Sequence, residues 1–185
     1  MIDLKNITVD EINSIDFDAS AENVDVYKHY YIEPPGTNHY RLLAYISSKL
    51  AAGSLVYDVG TLHGTSAYAL SFNPNVSVVS YDIANHGIDV RNVPSNLQFK
   101  IGDVKNDLHI LSADIIFVDT MHDGLWELNF YKWLIENDYH GITLWDDTNY
   151  HEFPGMKNIF LSNVSHEIID LTHIGHASGT TAIKL

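Results

Sequence analysis

The stretch Asp58-Val59-Gly60-Thr61-Leu62-His63-Gly64-Thr65-Ser66 decides the fold. It follows the apolar run Leu55-Val56-Tyr57 and leads into Ala67-Tyr68-Ala69-Leu70, which reads as helix. A carboxylate at a strand end, then Gly60 and Gly64, then a helix start, describe a nucleotide-type site. Glycine lets the backbone approach a ligand because no Cβ intervenes. The helix N-terminus adds unpaired N–H groups. The spacing is not the GxGxxG of dinucleotide-binding turns, and no Gly-Lys-Ser/Thr of a phosphate loop follows.

Outward from this stretch, strands and helices alternate. Strands are expected at 55–59, 76–81, 97–101, 115–118, 141–145, 167–171 and 181–185. Helices are expected at 37–50, 66–72, 125–136 and 156–163. Such alternation implies a parallel sheet covered on both faces, the α/β class. The segment between the last two strands is too short for a helical crossover, so these two are expected to pair as an antiparallel hairpin. Residues 1–36 read as an N-terminal extension or flap, broken at Pro34-Pro35-Gly36, and residues 37–185 as one domain.

Composition narrows the function classes. A chain of 185 residues, 45% of them hydrophobic, suits one globular domain. The formal net charge of −14 would repel phosphate backbones, so no nucleic acid partner is expected. No apolar run reaches membrane-span length, so no membrane partner is expected, and the start of the chain lacks a signal-peptide pattern, which points to the cytoplasm. The absence of cysteine excludes disulfides, zinc-thiolate sites and thiol nucleophiles.

Carboxylates sit at successive strand ends: Asp58, Asp82, Asp103, Asp119 and the pair Asp146-Asp147. Any one alone reads as a solvated turn or a helix cap. Five on one edge point to the crevice where open α/β sheets bind ligands. Asp82 is placed to accept hydrogen bonds from ribose hydroxyls, and Gly102-Asp103 to reach an adenine amino group. Asp58 and Gly60 would face the rest of the ligand. The aromatic residues Trp126, Tyr131, Trp133 and Trp145 read as packing residues.

Together, DVGTLHGTS at 58–66, the acidic end Asp82 of VVSYD, and Gly102-Asp103 of FKIGD resemble the class I S-adenosylmethionine (SAM) dependent methyltransferases. The resemblance implies a Rossmann-like three-layer sandwich with a mostly parallel seven-stranded sheet whose last strand is antiparallel. It implies SAM as cofactor, with Asp58, Gly60, Thr61, His63, Gly64, Ser66, Asp82, Gly102 and Asp103 around it. His63 either touches the carboxylate end of SAM or points to solvent.

Val118-Asp119-Thr120-Met121-His122 and Leu144-Trp145-Asp146-Asp147-Thr148-Asn149 are similar to two loops of small-molecule O-methyltransferases, sugar-modifying ones among them. That similarity implies His122 as general base and Asp119, Asp146 and Asp147 as ligands of Mg²⁺ or Mn²⁺. Asp146 and Asp147 could instead bind substrate hydroxyls directly. The segment Tyr31–Gly36 with His39-Tyr40-Arg41 resembles the entry to the first helix in compact environmental and viral members, which implies a flap over the cofactor with Glu33 at the amino group of SAM. His176, in a segment resembling their tail hairpin, either lines the acceptor pocket or forms the turn.

The chemistry asks for the same groups. Three carboxylates suit a hard divalent ion, which makes a bound hydroxyl easier to deprotonate. A neutral imidazole can take that proton. The implied activity is methyl transfer to a hydroxyl of a small-molecule or glycan acceptor. An NAD-type Rossmann oxidoreductase and a non-catalytic SAM-binding scaffold are the alternatives.

Overall fold

The structure, a computed structural model, describes residues 2–16, 36–86 and 93–185. Seven strands, β1 (Leu55–Val59), β2 (Ser77–Asp82), β3 (Leu97–Ile101), β4 (Ile115–Val118), β5 (Ile142–Asp146), β6 (Glu167–Asp170) and β7 (Thr180–Lys184), form one sheet in the order β3-β2-β1-β4-β5-β7-β6. β1 to β5 are parallel, and β7 is antiparallel to both β5 and β6. This is the mixed seven-stranded sheet with a reversed last strand that the sequence led us to expect.

Period-two alternation divides each strand between two cores. Val56, Val78, Ile115, Phe117 and Ala182 pack with α1 (Val9–Asn13), α2 (Gly36–Ser48) and α3 (Thr65–Leu70). Tyr57, Val79, Ile116, Trp145 and Ile183 pack on the opposite face with α4 (Leu125–Glu136). β4 is buried at every position, as a central parallel strand must be. The edge strand β6 is largely exposed and carries an ion pair between Glu167 and Lys5, a charge that discourages edge-to-edge pairing.

Residues 2–16 dock on the first core. Thr8 and Glu11 form a reciprocal capping box at the start of α1. Tyr45 Oη on α2 donates to Glu11 Oε1 at 3.0 Å, and Leu4, Ile7 and Ile12 are buried.

Two local differences from expectation stand out. Residues 156–163 are not one regular helix but a π-helical turn at Met156–Phe160 followed by a 3-10 turn at Leu161–Asn163. The wider turn lets Met156 and Phe160 both bury, with Phe160 against Trp145 at a ring distance of 4.3 Å. The β3–β4 connection carries two 3-10 turns, Val104–Asn106 and Leu108–Ser112, which start on the side chains of Asp103 and Asp107. Among the described residues, no helix is long and apolar enough to cross a membrane.

Candidate active site

The sheet order reverses between β1 and β4, the switch point where the loops of an α/β sheet diverge and leave a crevice. Register aligns the strand ends there: Val59 pairs with Tyr81 and Val118, Tyr81 with Lys100, and Val118 with Trp145. Every carboxylate picked from the strand ends therefore sits along one edge.

At Gly60, φ is +100°, and a Cβ would overlap the main-chain carbonyl of Asp119. The glycine is needed because β4's exit crosses β1's exit in contact, a packing reason beside the ligand approach invoked from sequence. The N–H groups of Gly60 and Thr61 both donate to the Tyr81 carbonyl. Leu62 N–H donates to Asp82 Oδ2 at 2.9 Å, and Ala84 N–H donates to Asp82 Oδ1 at 3.1 Å. Asp82 thus fastens the glycine loop to the end of β2. Gly64 caps α3 in the left-handed region, with Phe99 and Tyr68 where a side chain would go.

A cavity of about 450 Å³ opens at this edge. Gly60, Asp82, Gly102 and Asp103 line one side, and Asp119, His122 and Trp126 the other. Of the other expected cofactor contacts, Asp58, Thr61, His63, Gly64 and Ser66 are not among its described lining residues. Glu33 lies outside the described residues. Thr61 and Ser66 are buried, and Thr61 Oγ1 shares a short hydrogen bond with Ser80 Oγ.

Asp58 is fully buried behind the cavity. Its Oδ2 accepts from Ser80 Oγ, while Oδ1 has no hydrogen-bond partner. Burial pushes its pKa up to about 7, against the hydrogen bonds from Ser80 and Ser66, with Asp119 and Asp82 adding repulsion.

The β4 exit holds the second half of the site. His122 has φ +57°, and its main-chain N–H donates to Glu127 Oε1 at 2.9 Å. The same buried carboxylate accepts from Thr120 Oγ1 and from the Gly124 N–H at the start of α4. Glu127 thus organises the whole turn. Gly124 and Gly155 cross backbone to backbone with no room for a Cβ on either, which seats the Phe153 loop on this turn. Phe153 stacks on the His122 ring at 5.1 Å.

His122 Nε2 lies 3.1 Å from Asp119 Oδ1 and 3.9 Å from Asp147 Oδ2, in ion-pair contact but without hydrogen-bond alignment. Burial opposes the charge on His122, but Asp119, then Asp147 and Asp146, outweigh it and raise its pKa. The Asp119 carboxyl is raised too, by burial first and by Asp146, against the pull of His122.

Asp146 and Asp147 end β5. Asp147 sits at φ +53° and its Oδ1 lies 3.3 Å from His176 Nδ1, which is also 3.5 Å from Asp146 Oδ1. These aspartates raise the His176 pKa to about 10. The β5 exit and the β6–β7 turn dock through Thr148 N–H to Gly179 O and Asn149 N–H to Ser178 O. Of the residues read as metal ligands, the structure groups Asp146 and Asp147 with His176; Asp119 pairs with His122 instead.

Sequence reasoning missed three participants. Glu127 carried a legible signal, three residues after Gly124 at a helix start, the capping-box spacing. Phe153 carried none, and His39 stands in the His39-Tyr40-Arg41 segment that resembles the helix entry of compact family members, with no role at the site read from it. His39 on α2 is 2% exposed, and its Nδ1 is 3.7 Å from Asp146 Oδ1.

No protein-family model and no curated protein matches the sequence. Solved structures do. Cofactor-bound Rv0187 from MTB aligns over 90% of this chain and 86% of its own, with a TM-score of 0.61 at 14% identity. Precorrin-6y C5,15-methyltransferase from Geobacter metallireducens GS-15 aligns over 78% and 88%, with a TM-score of 0.56 at 14% identity. SMU.776, a structure titled as a methyltransferase complexed with SAH, aligns at 0.51 and 13% over 78% of this chain, which spans only about half (49%) of that one. The chain has the Rossmann-like three-layer fold of these proteins.

Proposed function

We propose that the chain is a SAM-dependent O-methyltransferase whose acceptor is a hydroxyl of a small molecule, a sugar of a glycan or glycoside by preference. One observation carries the reading. A single cavity at the switch point is walled on one side by Gly60, Asp82, Gly102 and Asp103 and on the other by Asp119 and His122. Cofactor-type groups and proton-transfer groups therefore face one space. The methyltransferase structures with the same fold support it.

When bound, SAM supplies a methyl on a sulfonium that an acceptor oxygen attacks in line. The chain's residues position and deprotonate. Asp82, fixed by two backbone N–H groups, has lone pairs left for ribose hydroxyls. Asp103 reaches the adenine amino group. Asp58, Thr61, His63, Gly64 and Ser66 shape the loop beneath, and Glu33 serves the amino-acid end. His122 Nε2, without a hydrogen bond of its own, takes the acceptor's proton. Asp119 beside it stabilises the imidazolium that results, the direction in which its neighbours already push the ring.

A divalent ion, Mg²⁺ or Mn²⁺, at Asp146 and Asp147 belongs to the same reading, with Asp119 as third carboxylate in the sequence-derived set. Asp146 Oδ1 and Asp147 Oδ1 are buried without hydrogen-bond partners, which fits a cation. Such an ion lowers the pKa of a hydroxyl it grips.

The test is calorimetric titration with S-adenosylhomocysteine and with NAD, followed by methyl-transfer assays on rhamnosides, fucosides and catechols with and without EDTA. Micromolar binding of S-adenosylhomocysteine, none of NAD and turnover of a glycoside are expected. NAD binding would favour an oxidoreductase. Tight cofactor binding with no turnover of any acceptor would favour a scaffold.

A further inference from the structure

The residues around Asp146 do not form an all-carboxylate site. Asp146, Asp147 and His176 each offer one ligand atom within 4.8 Å of the others, and His176 Nδ1 is 3.5 Å from Asp146 Oδ1 and 3.3 Å from Asp147 Oδ1. A buried histidine on a different element joins them: His39 Nδ1 is 3.7 Å from Asp146 Oδ1, and the His39 and His176 rings are 5.2 Å apart. Among the described residues, neither ring nitrogen of His39 has a hydrogen-bond partner, although the side chain is only 3% exposed. Asp146, 5% exposed, likewise leaves Oδ1 without a hydrogen bond.

Buried polar atoms without partners cost about 1–3 kcal/mol each, so the His39 nitrogens and the Asp146 and Asp147 oxygens call for a ligand there, although His176 Nδ1 would have to give up its hydrogen bond with Ser178 Oγ to join them. Donor atoms about 2.1 Å from an ion lie about 3.0 Å apart in an octahedron and about 3.4 Å apart in a tetrahedron. The His176–Asp147 and His176–Asp146 separations, 3.3 and 3.5 Å, need only a small contraction onto a cation, whereas His39, 3.7 Å from Asp146 Oδ1 but outside that compact group of three, must move further in to complete the set. Asp119 is instead paired with His122, at 3.1 Å.

We propose that Asp146, Asp147, His176 and His39 form a mixed imidazole–carboxylate site for one divalent transition-metal ion, with Asp119 outside the ligand set. Two imidazoles favour Mn²⁺, Co²⁺ or Zn²⁺ over Mg²⁺, which prefers oxygen and keeps its water. The ion sits where β5, α2 and the β6–β7 turn meet, so it also ties those elements together. The site stands independently of methyl transfer: a chain that bound NAD or no nucleotide at all would still hold it.

The experiment is titration of the full chain with Mn²⁺ alone, followed by electron paramagnetic resonance, with calorimetry for Mg²⁺. The expected result is one Mn²⁺ per chain, at least tenfold tighter than Mg²⁺, with ¹⁴N couplings from imidazole in the echo-modulation spectrum. His176→Gln and His39→Gln are each expected to weaken Mn²⁺ at least tenfold, and Asp119→Asn to leave Mn²⁺ affinity unchanged. Because the nitrogen couplings are read on the unaltered chain, a misfolded variant cannot decide the matter. No Mn²⁺ binding would mean that His176 is simply an imidazolium satisfied by two aspartates, and would overturn the proposal. So would bound Mn²⁺ without ¹⁴N coupling, or Mn²⁺ affinity lost in Asp119→Asn and kept in both histidine variants.

Discussion

Glu127 holds the main-chain N–H of His122 at 2.9 Å from inside the protein, where its own side chain is almost entirely buried. Its two oxygens serve three donors on the β4–α4 turn. Glu127→Ala leaves those donors unsatisfied and should cost roughly 2–4 kcal/mol of stability by urea denaturation. Glu127→Gln keeps an acceptor oxygen but sets an amide N–H against a backbone N–H, so a smaller loss is expected. If both variants matched the parent, the turn would be held by something else.

His122 is expected to act on turnover alone. His122→Ala should lower the methyl-transfer rate by roughly a hundredfold or more, the usual size of a general-base effect, and leave S-adenosylhomocysteine affinity intact. Unchanged turnover in a single-turnover assay would remove His122 as the base.

Asp82 joins the glycine loop to β2 and faces the cavity. Asp82→Ala should therefore weaken S-adenosylhomocysteine binding at least tenfold, since both ribose contacts and loop position are lost. Calorimetry showing unaltered affinity would contradict the ribose assignment.

Asp58 makes stability depend on pH. Its folded pKa of about 7 lies above the ordinary carboxylate value, so the folded chain holds a proton that the unfolded chain releases. Its stabilising contribution is complete below about pH 4. It falls as pH rises from there and is lost once pH passes about 7. The full penalty is roughly 4 kcal/mol. Asp58→Asn keeps an acceptor for Ser80 Oγ and should gain stability over the parent across that window, most above pH 7. Thermal melts at pH 4 and pH 8 check it; an equal difference at both would sink the assignment.

The parts legible in the sequence were those encoded over short range. Alternating strand and helix patterns imply the sheet, and the short His173–Thr180 segment implies its antiparallel end. Carboxylates following apolar runs gave the binding edge, because a strand's end fixes where its next residue goes. The rest depended on packing between distant elements. His39 reads as an ordinary helix residue; only the docking of α2 on the sheet brings it to Asp146. Glu127 stands three residues after Gly124 at a helix start, but only its burial and its three donors reveal its task. Gly60 reads as an opening toward ligand; that the crossing strand exit also leaves no room for a Cβ there shows only in the fold.

The placement of β7 between β5 and β6 makes one strand the keystone of this end of the sheet. β6 precedes β7 in the chain but touches the sheet only through it. Without residues 180–184, β5 would present an open, apolar edge and β6 would have no strand to pair with. The Asp146-Asp147 turn would also lose the support of Gly179 and Ser178. Loss of this one strand therefore leaves the binding edge half built and offers β5 to a strand from another copy.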